Sequence, residues 1–243
     1  DKRIYKGGNL EMLAQFLEED KEKDYRNKII VTDGIFSMEG VAANLPKLIE
    51  LAEKYEALLF VDDAHGIGVM GENGKGTPEA QNVFGKVDIL SGTLGKALGG
   101  AIGGYIGGKK FLIDLLRQKS RTYLFSNAVP ASIVNAGIKA FDILENDNTL
   151  TKRVKENASY FRSKLEENNW PTIDGNHAIV PLMIGDAKKA SELSKKLFEN
   201  GIYATSLSFP VVPEGEARIR FQLSALHTKE DIDKTIDIIK SIW

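Results

Sequence analysis

The sequence lacks cysteine, an excess of basic residues and any long apolar run. The absence of cysteine excludes disulfide bonds and thiolate metal sites, and we expect no metal centre. The chain has 32 Lys and Arg against 34 Asp and Glu, so its charge gives no support to binding of nucleic acid or of an anionic membrane. Its apolar runs are too short to cross a bilayer, and no signal peptide is visible.

What the sequence does contain is an alternation of short apolar runs and amphipathic stretches. The 243 residues are 42% hydrophobic and 27% charged, which is a globular composition. Helical patterns at residues 9–20 and 45–55 separate strand-like runs, which lie at 28–32, 57–61, 87–90 and 101–106. Short apolar strands between helices predict an α/β fold with a mixed, mostly parallel sheet and helices on both faces.

The pattern changes after about residue 130. Helical stretches are predicted at 131–144, 150–168, 187–200 and 228–242, and strand-like stretches at 178–184, 202–205 and 217–223. This part of the chain is typical of a smaller α+β domain. We therefore predict a partial large domain at residues 1–135 and a C-terminal small domain at residues 136–243.

The segment 91–100, SGTLGKALGG, places one lysine among small residues. A lysine that forms a Schiff base needs such a setting, because small neighbours let a flat cofactor approach and partial desolvation favours the neutral, nucleophilic amine. The alternative is a nucleotide-binding loop, but neither G-x-G-x-x-G nor G-x-x-x-x-G-K-[ST] is present, since Ala97 follows Lys96. We interpret Lys96 as a candidate Schiff-base lysine.

The segment 60–66, FVDDAHG, ends a predicted buried strand in two acids and a histidine. Ligands of doubly wound sheets bind at the carboxyl ends of strands, where an acid can hold a positive charge. A pyridine ring kept protonated by a carboxylate is the electron sink of pyridoxal phosphate (PLP) chemistry. We choose Asp62 for this role because it follows the strand directly, and we expect Asp63 to cap a turn.

His65 and Ser37 are weaker candidates. His65 is the only histidine beside a strand-end acid, and its imidazole can stack on or hydrogen-bond to a heteroaromatic cofactor. A satisfied loop histidine is nevertheless the more frequent case. Ser37 follows the strand-like run at 28–32 within DGIFSMEG, where a turn rich in Gly and Ser is the ordinary explanation. Both candidates therefore depend on their context.

Three motifs together resemble one family of enzymes. DGIFSMEG (33–40), VDDAHGIGVMGENGKG (61–76) and SGTLGKALGG (91–100) occur in this order and spacing in the α-oxoamine synthases. These are PLP-dependent acyltransferases of fold type I, which condense an amino acid with an acyl-CoA. The resemblance covers essentially the whole chain. It implies PLP as the cofactor and the PLP-dependent transferase fold type I, with a small C-terminal domain.

The resemblance also implies roles for particular residues. Lys96 is similar to the lysine that forms the Schiff base, Asp62 to the partner of the pyridine nitrogen and His65 to the partner of the phenolic oxygen. Ser37 and Thr93 are similar to residues that contact the cofactor, and Phe125 and Ser126 to residues that reach the neighbouring subunit's cofactor. Arg220 is similar to the residue that binds the substrate carboxylate. A planar guanidinium suits that two-pronged contact. Arg218 shares a strand face with Arg220, and we expect it to be a solvated strand arginine.

The segments at 117–132, 176–187 and 208–228 are most similar to the glycine C-acetyltransferase branch of the family. This similarity implies condensation of glycine with acetyl-CoA to 2-amino-3-oxobutanoate and CoA, or the reverse reaction in threonine breakdown. The 8-amino-7-oxononanoate synthases, which use alanine and a pimeloyl thioester, share many of these features and are the alternative. An inactive dimerisation or scaffold fragment is the alternative of another class.

The family also implies a homodimer whose active site is shared between subunits. Family members extend further on the N-terminal side, where they supply the residue that stacks on the PLP ring. We therefore expect weak or no PLP affinity and no turnover from residues 1–243 alone. The expected location is cytoplasmic, or mitochondrial if the source is eukaryotic; a targeting segment can precede Asp1, since the chain does not start at methionine.

Overall fold

The computed structural model describes residues 1–99 and 102–243, which divide into two compact units. Unit 1 comprises Asp1–Ile35 and Ala42–Asn148, and unit 2 comprises Phe36–Val41 and Thr149–Trp243. The chain therefore leaves unit 1 at residue 36, returns at residue 42 and leaves again at residue 149. The division predicted at 135/136 falls inside a helix of unit 1, and as a boundary between functional domains it stays a prediction.

The helices and strands are numbered in chain order. The strands are β1 (Lys28–Asp33), β2 (Ile35–Phe36), β3 (Val41–Ala42), β4 (Ala57–Asp62), β5 (Ile89–Thr93), β6 (Gly104–Gly108), β7 (Ile179–Gly185), β8 (Thr205–Leu207) and β9 (Ala217–Gln222). The helices are α1 (Leu10–Glu19), α2 (Leu45–Lys54), α3 (Thr77–Ala80), α4 (Lys110–Lys119), α5 (Arg121–Leu124), α6 (Ala131–Asn146), α7 (Thr149–Glu167), α8 (Ala187–Glu199) and α9 (Lys229–Ile242).

The sheet of unit 1 has the described strand order β1-β4-β5-β6. β1, β4 and β5 are parallel, and β6 runs antiparallel to β5. The prediction of a mixed, mostly parallel sheet is therefore confirmed. Because parallel strands end at the same edge, the segments that follow β1, β4 and β5 leave the sheet on one side. Asp33, the segment 62–66 and the segment that leads from β5 to Lys96 lie at that edge.

Side-chain caps explain where the first two long helices begin. Asn9 accepts the N–H of Met12 at 2.8 Å at the start of α1, and Asn44 accepts the N–H of Lys47 at 3.2 Å at the start of α2. Pro46 lies in the first turn of α2, where its missing N–H costs nothing. α2 packs against β4, so helix and strand bury their apolar faces together.

Unit 2 is an α+β unit built on the antiparallel sheet β7-β9-β8. α7 and α8 pack on this sheet, and α9 packs on α7 and α8. Their buried side chains form one core, which includes Phe161, Leu165, Val180, Leu182, Leu197, Ile219, Ile236 and Ile239. α9 begins with a capping box in which Thr228 and Asp231 each accept a backbone N–H of the other. The predicted α+β character of this part of the chain is confirmed.

Several elements differ from the sequence predictions. No helix was predicted at 107–130, yet α4 and α5 lie there, with Leu112 as the buried residue of α4. The short elements β2, β3 and α3 were not predicted either, and the strand predicted at 87–90 spans Ile89–Thr93. The strand predicted at 202–205 begins at Thr205, after a turn at residues 200–201 and an irregular stretch at 202–204. Part of the strand predicted at 101–106 lies outside the described residues, and residues 104–106 of it belong to β6.

Residues 1–99 and 102–243 contain neither a membrane-spanning helix nor a cluster of metal-binding side chains. No helix in these ranges is long and apolar enough to span a bilayer. No group of three or more His, Asp or Glu side chains in these ranges is placed to hold a metal ion.

Candidate active site

Three side chains lie side by side where β1, β4 and β5 approach their carboxyl ends. The parallel register pairs Asp33 of β1 with Asp62 of β4, and Asp62 with Ser91 of β5. Paired residues on neighbouring strands point to the same face of a sheet. Asp62 is therefore flanked by a carboxylate on one side and by a hydroxyl on the other. We call Asp33, Asp62 and Ser91 the strand-end row.

Asp62 is held by the turn that follows β4. Its Oδ1 accepts the backbone N–H of Ala64 at 3.0 Å, so the carboxylate closes a turn on its own backbone. The residue is half-buried, which leaves it able to meet a ligand at the strand ends. The structure thus places an acid at the end of this strand, as expected. Its pairing with a pyridine nitrogen stays a prediction.

Asp33 is a second carboxylate at this edge, and sequence reasoning missed it. Burial raises the pKa of Asp33, the charge of Asp62 raises it further, and the charge of Lys96 lowers it. These three side chains therefore share one electrostatic environment. The criterion that identified Asp62, an acid at the end of a predicted buried strand, also applies to Asp33, since β1 and β4 both end in an aspartate.

Asp63 is fully buried and anchors the loops around it. Its carboxylate accepts the N–H of Thr77 at 2.9 Å and the hydroxyl of Thr77 at 2.5 Å. Burial raises the pKa of Asp63 to about 6, although both bonds from Thr77 act to lower it. A Cβ on Gly34, Gly66 or Gly76 would collide with an Asp63 carboxylate oxygen. Asp63 thus has the structural use that we expected, but its carboxylate binds Thr77, fourteen residues along the chain, whereas the carboxylate that closes its own turn is Asp62.

Thr93 shapes the turn that leads to Lys96. Thr93 Oγ1 accepts the N–H of Gly95 at 3.1 Å and donates to the carbonyl oxygen of Gly103 at 3.3 Å. The hydroxyl is therefore used inside the turn at the end of β5. A contact between Thr93 and a cofactor phosphate stays a prediction.

Lys96 is exposed, whereas the sequence analysis expected its amine to be partly desolvated. Its neighbours Gly95 and Ala97 are also exposed and carry too little side chain to cover the amine. The turn packs closely against Gly68, because a Cβ on Gly68 would lie only 2.9 Å from the Cβ of Ala97. Gly100, at the end of the motif, lies outside the described residues.

His65 lies in the same turn as the carboxylate it was grouped with. Gly66 and Ile67 donate their N–H groups to the carbonyl oxygen of Asp63 at 2.9 and 3.0 Å, which closes the chain around His65. The imidazole is half-buried, three residues beyond Asp62. Its contact with the phenolic oxygen of a cofactor stays a prediction.

Arg220 and Ser37 are brought together within unit 2. Arg220 Nη1 donates to the carbonyl oxygen of Ser37 at 3.1 Å, and both residues are half-buried. The bond joins β9 to the segment 36–41, so it orders the backbone that carries Ser37. The roles of Arg220 toward a substrate carboxylate and of the Ser37 side chain toward a cofactor stay predictions.

The expectation for Arg218 was wrong. Arg218 is fully buried rather than solvated. Its Nη2 pairs with the Glu216 carboxylate at 2.9 Å, and its Nη1 lies 3.4 Å from the Glu39 carboxylate. These two acids compensate the cost of burying a guanidinium. The alternation of side chains along β9 predicts that Arg218 and Arg220 lie on the same face of the strand. It does not predict which residues on that face are covered by the rest of the unit.

Phe125 and Ser126 follow α5 and are both exposed, with 81% of Phe125 accessible. They belong to unit 1, like the strand-end row. An aromatic ring this exposed has no packing role inside the chain. Its predicted role at a neighbouring subunit's site stays a prediction.

Comparison with known proteins identifies the family. A family model described as aminotransferase class I and II matches residues 3–239. The chain belongs to this family. The 8-amino-7-oxononanoate synthase of Thermoanaerobacter pseudethanolicus is 44% identical over 239 residues, which are 98% of this chain and 60% of that protein. The 2-amino-3-ketobutyrate coenzyme A ligase of Escherichia coli K12 is 45% identical over 238 residues, again 98% and 60%.

A solved structure supports the same assignment. The high-resolution structure of SPT with a PLP internal aldimine matches 94% of this chain and 58% of that chain, with a TM-score of 0.87 and 26% identity. The resemblance to the α-oxoamine synthases and the fold type I prediction are therefore confirmed. These relatives also indicate PLP as the cofactor, as the sequence predicts.

Two facts limit what similarity assigns. The chain spans about 60% of the length of the curated relatives it matches. Those relatives carry two different activity names at 44% and 45% identity. Overall identity therefore does not separate the two activities that these names describe.

Proposed function

We propose that the complete protein containing this chain is a PLP-dependent acyltransferase of the α-oxoamine synthase type. The observation that carries the proposal is the strand-end row, with Asp62 at its centre and Lys96 close enough to alter the ionisation of Asp33. An amine and a carboxylate at one sheet edge suit a cofactor that has both a carbonyl carbon and a basic ring nitrogen.

The described residues fit PLP on three counts. The exposed amine of Lys96 is open to a carbonyl compound. The half-buried carboxylate of Asp62 suits a cationic ring nitrogen. The Ser91 hydroxyl is buried without a hydrogen-bond partner in residues 1–99 and 102–243, as expected of a group that acts in a site. His65, Ser37 and Thr93 would hold the remaining polar groups of the cofactor.

When bound, PLP supplies an electron sink for the bonds around the amino acid Cα. Asp62 would keep the ring nitrogen protonated. Arg220 would bind the substrate carboxylate through its planar guanidinium and orient the Cα–H bond. Lys96 would be the base that takes the proton from Cα, because it already lies at the strand ends.

Within this class, we propose glycine and acetyl-CoA as the substrates, giving 2-amino-3-oxobutanoate and CoA, or the reverse reaction in threonine breakdown. The similarity of segments 117–132, 176–187 and 208–228 to that branch supports the choice. The alternative is an 8-amino-7-oxononanoate synthase that uses alanine and a pimeloyl thioester. The near-equal identity to relatives of both names keeps that alternative open.

We also propose a homodimer with a shared site. The exposed apolar side chains of α4, α5, α6 and the segment between them support association, and they include Phe111, Leu115, Tyr123, Phe125, Val134 and Ile138. An apolar surface of this kind on one unit is typical of a protein interface. The cytoplasmic location stays a prediction.

The substrate pair is tested with the complete gene product loaded with PLP. Release of CoA and the product mass are measured with glycine plus acetyl-CoA and with alanine plus pimeloyl thioester. We expect turnover with the first pair; turnover with the second alone would assign the alternative branch, and turnover with neither would favour the scaffold alternative.

The role of Lys96 is tested by covalent trapping. Borohydride reduction followed by intact-mass measurement should show one PLP per chain in the parent protein and none in Lys96→Ala, because the amine is removed. Lys86→Ala, at another exposed lysine of unit 1, is the matched control and should keep the adduct. A normal adduct in Lys96→Ala would contradict the assignment.

A further inference from the structure

Ser91 is an anomaly in the strand-end row. Its Oγ is buried and has no hydrogen-bond partner in the part of the chain that the structure describes. A buried hydroxyl without a partner destabilises a fold, because its lost hydrogen bonds to water are not replaced, so such groups are rare in native proteins. A hydroxyl kept at that cost needs an explanation outside the packing of β5.

The neighbours of Ser91 suggest the explanation. Ser91 is paired with Asp62 across β4 and β5, and the backbone N–H of Asp63 donates to the Ser91 carbonyl oxygen at 2.9 Å. The two strands are thus locked in this register. Neighbouring strands lie about 4.7–4.9 Å apart, so rotation of either side chain can bring the Ser91 hydroxyl and the Asp62 carboxylate within hydrogen-bond reach.

Asp33, on the other side of Asp62, makes a hydrogen-bond donor to the Asp62 carboxylate favourable. Asp33 is paired with Asp62 on the β1 side, and burial, together with the charge of Asp62, raises the pKa of Asp33, as expected of neighbouring carboxylates. A hydroxyl on the opposite side can stabilise the Asp62 charge against the repulsion of a neighbouring carboxylate. Ala64 already binds Asp62 Oδ1, so a second donor would fix the carboxylate plane.

We propose that Ser91 is a positioning residue of the candidate site: when a ligand with a cationic ring nitrogen is bound, the Ser91 hydroxyl turns to donate to the Asp62 carboxylate and holds it toward that nitrogen. The inference rests on the proposed function, because it names the ligand class as a phosphorylated pyridine. It adds a residue that acts through Asp62 and does not react itself. Serine and threonine can both supply the hydroxyl, whereas alanine cannot.

Binding of two non-reactive probes tests the proposal in the complete gene product freed of cofactor. The first probe is 4-deoxypyridoxine 5'-phosphate, which keeps the ring nitrogen but cannot react with Lys96. The second is the matching benzyl phosphate, in which C–H replaces the ring nitrogen. Ser91→Ala should weaken the first probe about tenfold, since a hydrogen bond to a charged group is lost, and leave the second unchanged. Ser91→Thr should restore the affinity for the first.

Thermal unfolding separates this role from a structural one. Without ligand, Ser91→Ala should unfold at the same or a higher temperature than the parent, because the unpartnered buried hydroxyl is gone. With the pyridine probe, Ser91→Ala should gain less stabilisation than the parent. Ser163→Ala is the matched control, since the Ser163 hydroxyl already donates to the carbonyl oxygen of Tyr160 at 2.8 Å.

The outcomes distinguish the two proposals. If the parent protein binds neither probe, the proposed function fails and the role of Ser91 falls with it. If the parent binds the pyridine probe and Ser91→Ala binds it equally well, only the role of Ser91 is overturned. Equal weakening of both probes, or a lower unfolding temperature of Ser91→Ala without ligand, would also overturn it.

Discussion

Asp62 and Asp63 are adjacent in the chain, but the fold uses them for opposite purposes. Asp62 is half-buried in the strand-end row beside Asp33 and Ser91. Asp63 is fully buried and receives both the N–H and the hydroxyl of Thr77. Successive residues leaving a strand point to opposite sides. The end of β4 therefore separates an acid that can meet a ligand from an acid that holds the loops in place.

The surroundings of the two acids differ in the same way. Asp63 is enclosed by close-packed glycines, and its charge helps burial to raise the pKa of Tyr105 to about 12. Asp62 instead shares its environment with Asp33 and the exposed amine of Lys96. One side of the strand end therefore carries a buried acid that holds the loops in place, and the other side carries acids that a ligand can reach. This difference leads to three predictions beyond the tests of Lys96 and Ser91.

The largest effect is expected from Asp62→Ala in the complete gene product. Loss of the carboxylate should lower kcat/KM by roughly 10²–10³-fold, the scale seen when one preorganised electrostatic group is removed. Circular dichroism and thermal unfolding should show an intact fold. Asp63→Ala should instead lower stability, with a much smaller loss of activity per folded molecule. Equal losses of activity would break the distinction between the two acids.

The second prediction concerns pH and the fold. Because the pKa of Asp63 is raised from 3.8 to about 6, the folded state binds more protons than the unfolded state between those values. The contribution of the protonated carboxyl is fully present below about pH 4 and is lost as pH rises through 6. The free energy of unfolding should therefore fall by about 3 kcal/mol across this window because of Asp63.

Asp63→Asn provides the comparison for that prediction. Urea unfolding of both proteins at several pH values between 4 and 7 gives the difference, in which the other titrating groups cancel. The asparagine variant should lack the fall. Parallel pH profiles for parent and variant would show that Asp63 does not titrate in this range.

The smallest effect is expected from the glycine that packs against Asp63. Gly66→Ala would place a methyl group against the buried carboxylate, which Thr77 prevents from moving away. We expect a loss of about 1–3 kcal/mol in the free energy of unfolding. Gly107→Ala is the matched control, because a Cβ there meets only the Leu90 carbonyl oxygen at 4.0 Å. Equal stability of the two variants would show that the packing around Asp63 is looser than the structure indicates.

Sequence reasoning found most of unit 1 because its signals are local. The apolar runs that became β1 and β4, and the asparagine caps of α1 and α2, are legible residue by residue. The choice of Asp62 over Asp63 also followed from position at a strand end. α4 was not predicted, although Phe111, Leu112 and Leu115 have helical spacing.

Other features depend on contacts between distant residues. Arg218 looks like any strand arginine until the fold brings Glu39 to it from 179 positions away. Lys96 looks shielded by its motif, yet its small neighbours leave it exposed in this chain. Ser91 gave no signal of its own, since its unusual state is a buried hydroxyl without a partner among residues 1–99 and 102–243.

The sequence by itself carried the motifs that resemble those of the α-oxoamine synthases, the order of most of the longer strands and helices, and the chemical types gathered in the motifs. The strands and helices were predictable because periodicity and caps are local properties of the chain. Only the tertiary structure decided that Asp33 and Ser91 flank Asp62, that Asp63 is sealed under Thr77, and that Arg218 is buried. The reason is physical: register and burial are set by which strands pair and which faces pack, and no single segment carries that information.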